Sequence, residues 1–223
     1  DEAALAAFRE ASLPFGGMAG APVLTVPAPE DGHEAFVVAS DVTYTACGWD
    51  RRLLGEPYGG AWLLASRILS YDFLWTEVRV KGGAYGAGYP PTLAGAARYC
   101  SYRDPRIDET VERFRTSGDW LAGVFNPTES EEEGYVVSTV ASLDAPAKAR
   151  ELLRRQDGLY FSGATLEDRA RVREEVCAAG IDDVRALASS VDAIAGAGPV
   201  CCFGNGEVIR ASGEGFNVVD LLA

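Results

Sequence analysis

The chain has 223 residues, 48% of them hydrophobic and 24% charged, with a formal net charge of −13. Those proportions fit one sizeable packed domain and exclude a disordered chain. So acidic a chain is a poor partner for nucleic acid, whose phosphates require clustered Lys and Arg, and no apolar run reaches the roughly 18 residues of a membrane span. The first stretch, DEAALAAFREASLPF, lacks the basic n-region and apolar h-region of a signal peptide. The only methionine is Met18, so the chain reads as a piece of something longer. Cys47, Cys100, Cys177, Cys201 and Cys202 form no C-x-x-C pair. They predict neither a disulfide framework nor a zinc site, and fit a reducing cytoplasm.

In chain order, residues 1–12 predict a short amphipathic helix, and 13–33, with four prolines, an extended connector. The Val-, Thr- and aromatic-rich 34–50 predicts a strand. Pro57 opens a predicted buried helix over about 58–76, its apolar stripe running through Trp62, Leu63, Ala65, Ile68, Leu69 and Phe73. A strand-like EVRV carries Arg79 into the glycine-rich loop. Two strands are expected over 85–89 and 95–104, with Ala97, Tyr99 and Ser101 on one face and Arg98, Cys100 and Tyr102 on the other.

Ile107, Val111, Phe114, Gly118 and Leu121 share one helical stripe. Asn126-Pro127 is expected to cap a further helix, with Glu129, Glu131, Glu132 and Glu133 at its positive end rather than around a metal. Helices follow over about 146–161, from the Thr165–Asp168 capping box to a stop at Gly180, and over IDDVRALASSVDAIAG with Val184, Leu187, Val191 and Ile194 inward. The run 198–205 predicts a strand buried on both faces, EVIR a short strand, and FNVVDLL a terminal segment. Strand, helix, two strands, several helices and a strand, without alternating β-α-β units, define an α+β fold: an antiparallel-rich mixed sheet with helices on one face.

The only histidine, His33, stands in the connector, with neither H-E-x-x-H nor H-x-x-E-H around it. A His-based zinc site and a G-x-S-x-G serine triad are both excluded. The loop in EVRVKGGAYGAGYPP matches neither G-x-G-x-x-G nor a Walker loop, which weakens a phosphate cradle. A hairpin or bulge needing positive φ explains the glycines but not Arg79 and Tyr85, a guanidinium fork and a phenol six residues apart. At a strand edge such donors can grip peptide carbonyls or a developing oxyanion, with glycines admitting a close backbone.

With LWTEVRVKGGAYGAG followed by CSYRDPRIDETVERF, and with VVSTVASLDAPAKARELLRRQDG downstream, the chain resembles over about 35–220 the C-terminal half of pitrilysin-type zinc metallopeptidases, in the presequence-protease branch that also holds insulinase-like enzymes. The shared core is Arg79-Val80-Lys81-Gly82-Gly83-Ala84-Tyr85-Gly86. The resemblance implies a two-halved clamshell whose N-terminal half carries zinc on H-x-x-E-H. Arg79 and Tyr85 would reach from this half as catalytic donors to the substrate backbone and the tetrahedral intermediate, with Gly82, Gly83 and Ala84 binding substrate.

Residues 1–33 would then be a helix and connector, and 34–223 a single domain of the non-zinc half. This chain would hold no zinc and be inactive alone. Its partners would be the N-terminal half of the same polypeptide and unstructured peptides, basic ones favoured by the acidic surface. A non-catalytic scaffold or peptide-binding subunit of the same fold is the alternative.

Overall fold

The computed structural model describes residues 32–223 except 56, 91, 93 and 94, together with residues 2, 3, 6, 7 and 10. The chain divides into two units, Asp1–Asp31 and Gly32–Ala223. In the first, Glu2, Ala3, Ala6, Ala7 and Glu10 are helical and exposed, within the helix expected over 1–12. The connector expected over 13–33 lies outside the described residues apart from Gly32 and His33.

The second unit is built on a six-stranded sheet in the order β3-β4-β2-β5-β1-β6. The strands are β1 (Glu34–Val37), β2 (Thr43–Asp50), β3 (Gly86–Gly88), β4 (Ala96–Asp104), β5 (Val200–Gly204) and β6 (Asn217–Asp220). Strands β2, β3, β4 and β5 pair antiparallel, while β1 runs parallel to both β5 and β6. The fold is therefore α+β with a mixed, antiparallel-rich sheet, as the element order predicts.

The single strand expected over 34–50 is two. Ser40 turns the chain by donating to the Val42 carbonyl at 2.9 Å and accepting the Val42 N–H at 3.2 Å. Strand β5 then inserts between the two halves.

Helix α1 (Gly60–Ile68) continues without a break through two π-helical segments, Leu69–Phe73 and Trp75–Lys81. The remaining helices are α2 (Asp108–Arg115), α3 (Ser117–Gly123), α4 (Glu129–Leu143), α5 (Ala149–Ser162), α6 (Leu166–Ala178), α7 (Ile181–Ala186), α8 (Ala188–Ala197) and α9 (Gly206–Ala211). Helices α2 and α8 pack on β2, and α8 also on β4.

The core lies between sheet and helices. Cys47, Ala97, Tyr99, Val200 and Cys202 meet Phe114, Val191, Ile194 and Ala195, all nearly or wholly buried. Tyr99 stacks on Phe114 with ring centroids 4.9 Å apart, within the range in which aromatic pairs add to their burial.

Several boundaries differ from expectation for local reasons. The N-cap of α4 is Thr128, in a capping box with Glu131, one residue past Asn126-Pro127. The Thr165–Asp168 box caps α6 as expected, but Gly180 begins α7 instead of ending α6. The helix expected over 181–196 breaks at Leu187 into α7 and α8, with Val184, Val191 and Ile194 still buried. EVIR lies in helix α9, because Asn205 Oδ1 accepts the N–H groups of Glu207 and Val208 and starts a helix.

Strand β5 is buried on one face only: Val200, Cys202 and Gly204 are covered, while Cys201 and Phe203 are exposed. Among the described residues the helices cover one side of the sheet and leave the other open.

Candidate functional site

Arg79 lies on a helix, not on the strand that the Val78/Val80 alternation predicts. Leu74 and Val78, four residues apart, are both buried and hold that helix to the core. The π-helical winding persists to Lys81, and such wide turns recur at functional sites.

The Arg79 guanidinium carbon stands 3.7 Å from the centre of the Trp75 ring and 5.9 Å from that of Tyr85. Glu77, the nearest acid in sequence, faces elsewhere, bound to Lys81 at 2.6 Å and to Arg113 at 3.7 Å. Among the described residues no hydrogen bond or ion pair uses the Arg79 guanidinium.

The glycines after the helix serve the chain's own backbone. A Cβ at Gly82 would stand 2.4 Å from the Val78 carbonyl oxygen, and Gly83 has φ of +86°. The Gly83 N–H donates to the Arg79 carbonyl at 3.0 Å, and the Ala84 N–H to that of Val78 at 3.2 Å. Ala84 is 4% exposed and packs in the core. Of the five residues expected at the site, Arg79 and Tyr85 are brought together at its surface, while Gly82, Gly83 and Ala84 form the turn between them.

Tyr85 is 66% exposed. Its N–H donates to two carbonyls of β4, Tyr102 at 3.0 Å and Arg103 at 3.3 Å. There β4 bulges: its register with β2 shifts between Thr43 and Thr45, and Arg103 has φ of 51°. The Tyr85 ring meets Tyr102 edge-on at 5.6 Å, Tyr102 meets Tyr44 at 5.2 Å, and Tyr44 stacks on Phe203 at 4.5 Å. A row of rings thus crosses the open face of the sheet and ends at Tyr85 and Arg79. Gly86, opposite Tyr102 on β3, has nothing within 4 Å of where a Cβ would stand.

The arrangement can donate hydrogen bonds from a guanidinium and a phenol to an extended chain. On the same open face, desolvation by neighbouring atoms holds the Cys100 and Cys201 thiols above their ordinary values, which lowers their thiolate fraction. Described His, Cys, Asp and Glu residues form no group of three or more that could hold a metal. His33 Nδ1 accepts the Val200 N–H at 2.8 Å, so the imidazole ties β5 to the start of β1. The resemblance assigns its zinc to the N-terminal half, and no metal site is shown among the described residues of this chain. Trp75 lies at this candidate site although sequence reasoning gives it no role there, and Gly86, part of the shared core motif, is given none either. Reading Trp75–Lys81 as helix would have placed Trp75 one turn from Arg79.

Solved structures share this architecture. The peptidase M16 inactive domain from Pseudomonas fluorescens superposes with a TM-score of 0.57 at 18% identity, covering 91% of this chain and 50% of that one. Pitrilysin gives 0.55 at 14%, covering 85% and 22%. The fold is that of the pitrilysin-type M16 peptidase domains.

The model of the PreP C-terminal domain matches residues 33–200, and the chain belongs to that family. Protein HypA of Clostridium perfringens (strain 13 / Type A) is 32% identical over 185 residues, which is 83% of this chain and 19% of that protein. Presequence protease 1, chloroplastic/mitochondrial, of Arabidopsis thaliana is 29% identical over 185 residues, covering 81% and 17%. The chain spans about a fifth of the length of these curated relatives.

Proposed function

We propose that this chain is the non-zinc C-terminal domain of a zinc-dependent peptidase and lends Arg79 and Tyr85 to a metal site carried by an N-terminal half of the same polypeptide. Arg79 binds the substrate backbone through its guanidinium N–H groups. The Tyr85 hydroxyl donates to the scissile carbonyl oxygen as negative charge develops there. The chain alone cleaves nothing.

The observation that carries this reading is a guanidinium held at the surface, its donors unspent among the described residues, beside an exposed phenol. A pure scaffold has less use for such a pair. The family and the short span relative to its named relatives support a partner half and peptide substrates.

Unstructured peptides are the substrate class, and basic ones are favoured by the net charge of −13. That attraction acts at long range, because the candidate site itself carries the cationic Arg79. Equal kcat/KM for basic and acidic peptides at low salt would remove the charge preference. The cytoplasm is the location that five free cysteines favour, although the named relatives include mitochondrial and chloroplastic proteins. No helix among the described residues is long and apolar enough to cross a membrane.

Tyr85→Phe in the full-length polypeptide tests the assignment. Loss of one oxyanion donor lowers kcat by about 100- to 1,000-fold with KM little changed. Wild-type kcat in this variant overturns the role.

A further inference from the structure

We infer that Trp75 is the positioning residue for Arg79, holding the guanidinium by its ring face so that the N–H edge stays free for a peptide. The inference rests on the reading of Arg79 as a substrate-binding residue and adds to it the group that orients it.

An arginine at a protein surface is commonly fixed by a carboxylate, which occupies its donor fork bidentately. That solution would block Arg79 from gripping a substrate. Here the only acid within two residues, Glu77, is drawn off by Lys81 at 2.6 Å and Arg113 at 3.7 Å. The guanidinium instead lies 3.7 Å from the Trp75 ring centre, well inside the roughly 6 Å limit for an effective cation–π contact. Indole is the best of the aromatic faces for this purpose, and the attraction uses the charge while leaving the hydrogen-bond donors unspent.

The backbone makes the pairing rigid. Trp75 is the first residue and Arg79 the fifth of one π-helical segment, Trp75–Lys81. Its buried Val78 locks the segment to the core. The Arg79 carbonyl is itself tied to the turn through the Gly83 N–H at 3.0 Å.

Trp75 is 45% exposed, so its ring is available to Arg79 rather than consumed by packing. Tyr85, at 5.9 Å, closes the guanidinium from a second side. Tyr102 steadies Tyr85 edge-on at 5.6 Å and is itself braced by Tyr44 at 5.2 Å. Both donors are thus oriented by rings, and neither by an ion pair.

The test is a double-mutant cycle in the full-length polypeptide, with Trp75→Phe, Trp75→Leu, Arg79→Ala and Trp75→Leu/Arg79→Ala, measured as kcat and KM on an unstructured peptide. Thermal unfolding of each variant is followed alongside. Trp75→Leu keeps apolar bulk without a ring and is expected to lower kcat/KM by about 5- to 30-fold with the unfolding midpoint unchanged. Trp75→Phe restores most of that loss. In the Arg79→Ala background Trp75→Leu costs nothing more, because the group it orients is gone.

Wild-type kcat/KM in Trp75→Leu, equal losses in the Leu and Phe variants, or an undiminished loss in the Arg79→Ala background each overturns the positioning role while Arg79→Ala remains impaired. Wild-type activity in Arg79→Ala overturns the functional reading of Arg79 and the positioning role with it.

Discussion

The two faces of the sheet take alternate residues of the same strands to opposite ends. On β4, Ala97 and Tyr99 are buried beneath α8 and α2, while Arg98 and Tyr102 stand in the open. On β5 the adjacent cysteines part: Cys202 is 0% exposed, and Cys201 faces outward.

Both faces carry aromatic rings, but only one uses them as core. Tyr99 and Phe114 stack where helices exclude water. On the other face Tyr44 stacks on Phe203 and meets Tyr102 edge-on, and both Tyr102 and Phe203 stay exposed. Burial therefore fixes the fold from one side, and the row of rings on the other side leads to Arg79 and Tyr85.

The largest effect that can break this comparison is on stability. Phe114→Ala leaves a hole in the covered core and is expected to cost about 3–5 kcal/mol. Phe203→Ala removes a stacked ring that is 45% exposed and should cost about 1 kcal/mol. Urea unfolding with unchanged m values measures both. Equal losses would mean that the open face is no less structural than the covered one.

Thiol labelling sharpens the comparison. At pH 8 a thiol reagent is expected to modify Cys201 in the native chain at least about 100-fold faster than Cys202, which reacts through opening of the core. Burial holds the Cys202 thiol above its ordinary value and adds to the protection. Similar rates at the two positions would contradict the one-sided packing of β5.

Much of the covered side is legible in the sequence because burial writes a period. The alternation of 97–102 gives both faces of β4, and the stripe through Ile107, Val111, Phe114, Gly118 and Leu121 is buried at every position, although two helices share it. The open side is not legible in the same way. Cys201 and Phe203 are apolar without being covered, so 198–205 reads as buried on both faces.

The site is half legible for a related reason. Arg79 and Tyr85 stand out by motif, but the β-branched Val78 and Val80 imitate a strand. That conceals the helical spacing that puts Trp75 under Arg79. The room made by a missing side chain is at Gly86, where the sheet face is open, whereas Gly82 and Gly83 are needed by the turn itself.

The central claim is that Tyr85 serves the tetrahedral intermediate more than the ground-state peptide. The direct measurement is the affinity of the full-length polypeptide for a phosphinic peptide, a tetrahedral mimic, against that for the matching amide peptide, in the wild-type protein and in the Tyr85→Phe variant. Tyr85→Phe is expected to weaken the phosphinic peptide by about 100-fold or more and to leave the amide peptide within about threefold. Equal weakening of both ligands, or of neither, would contradict it.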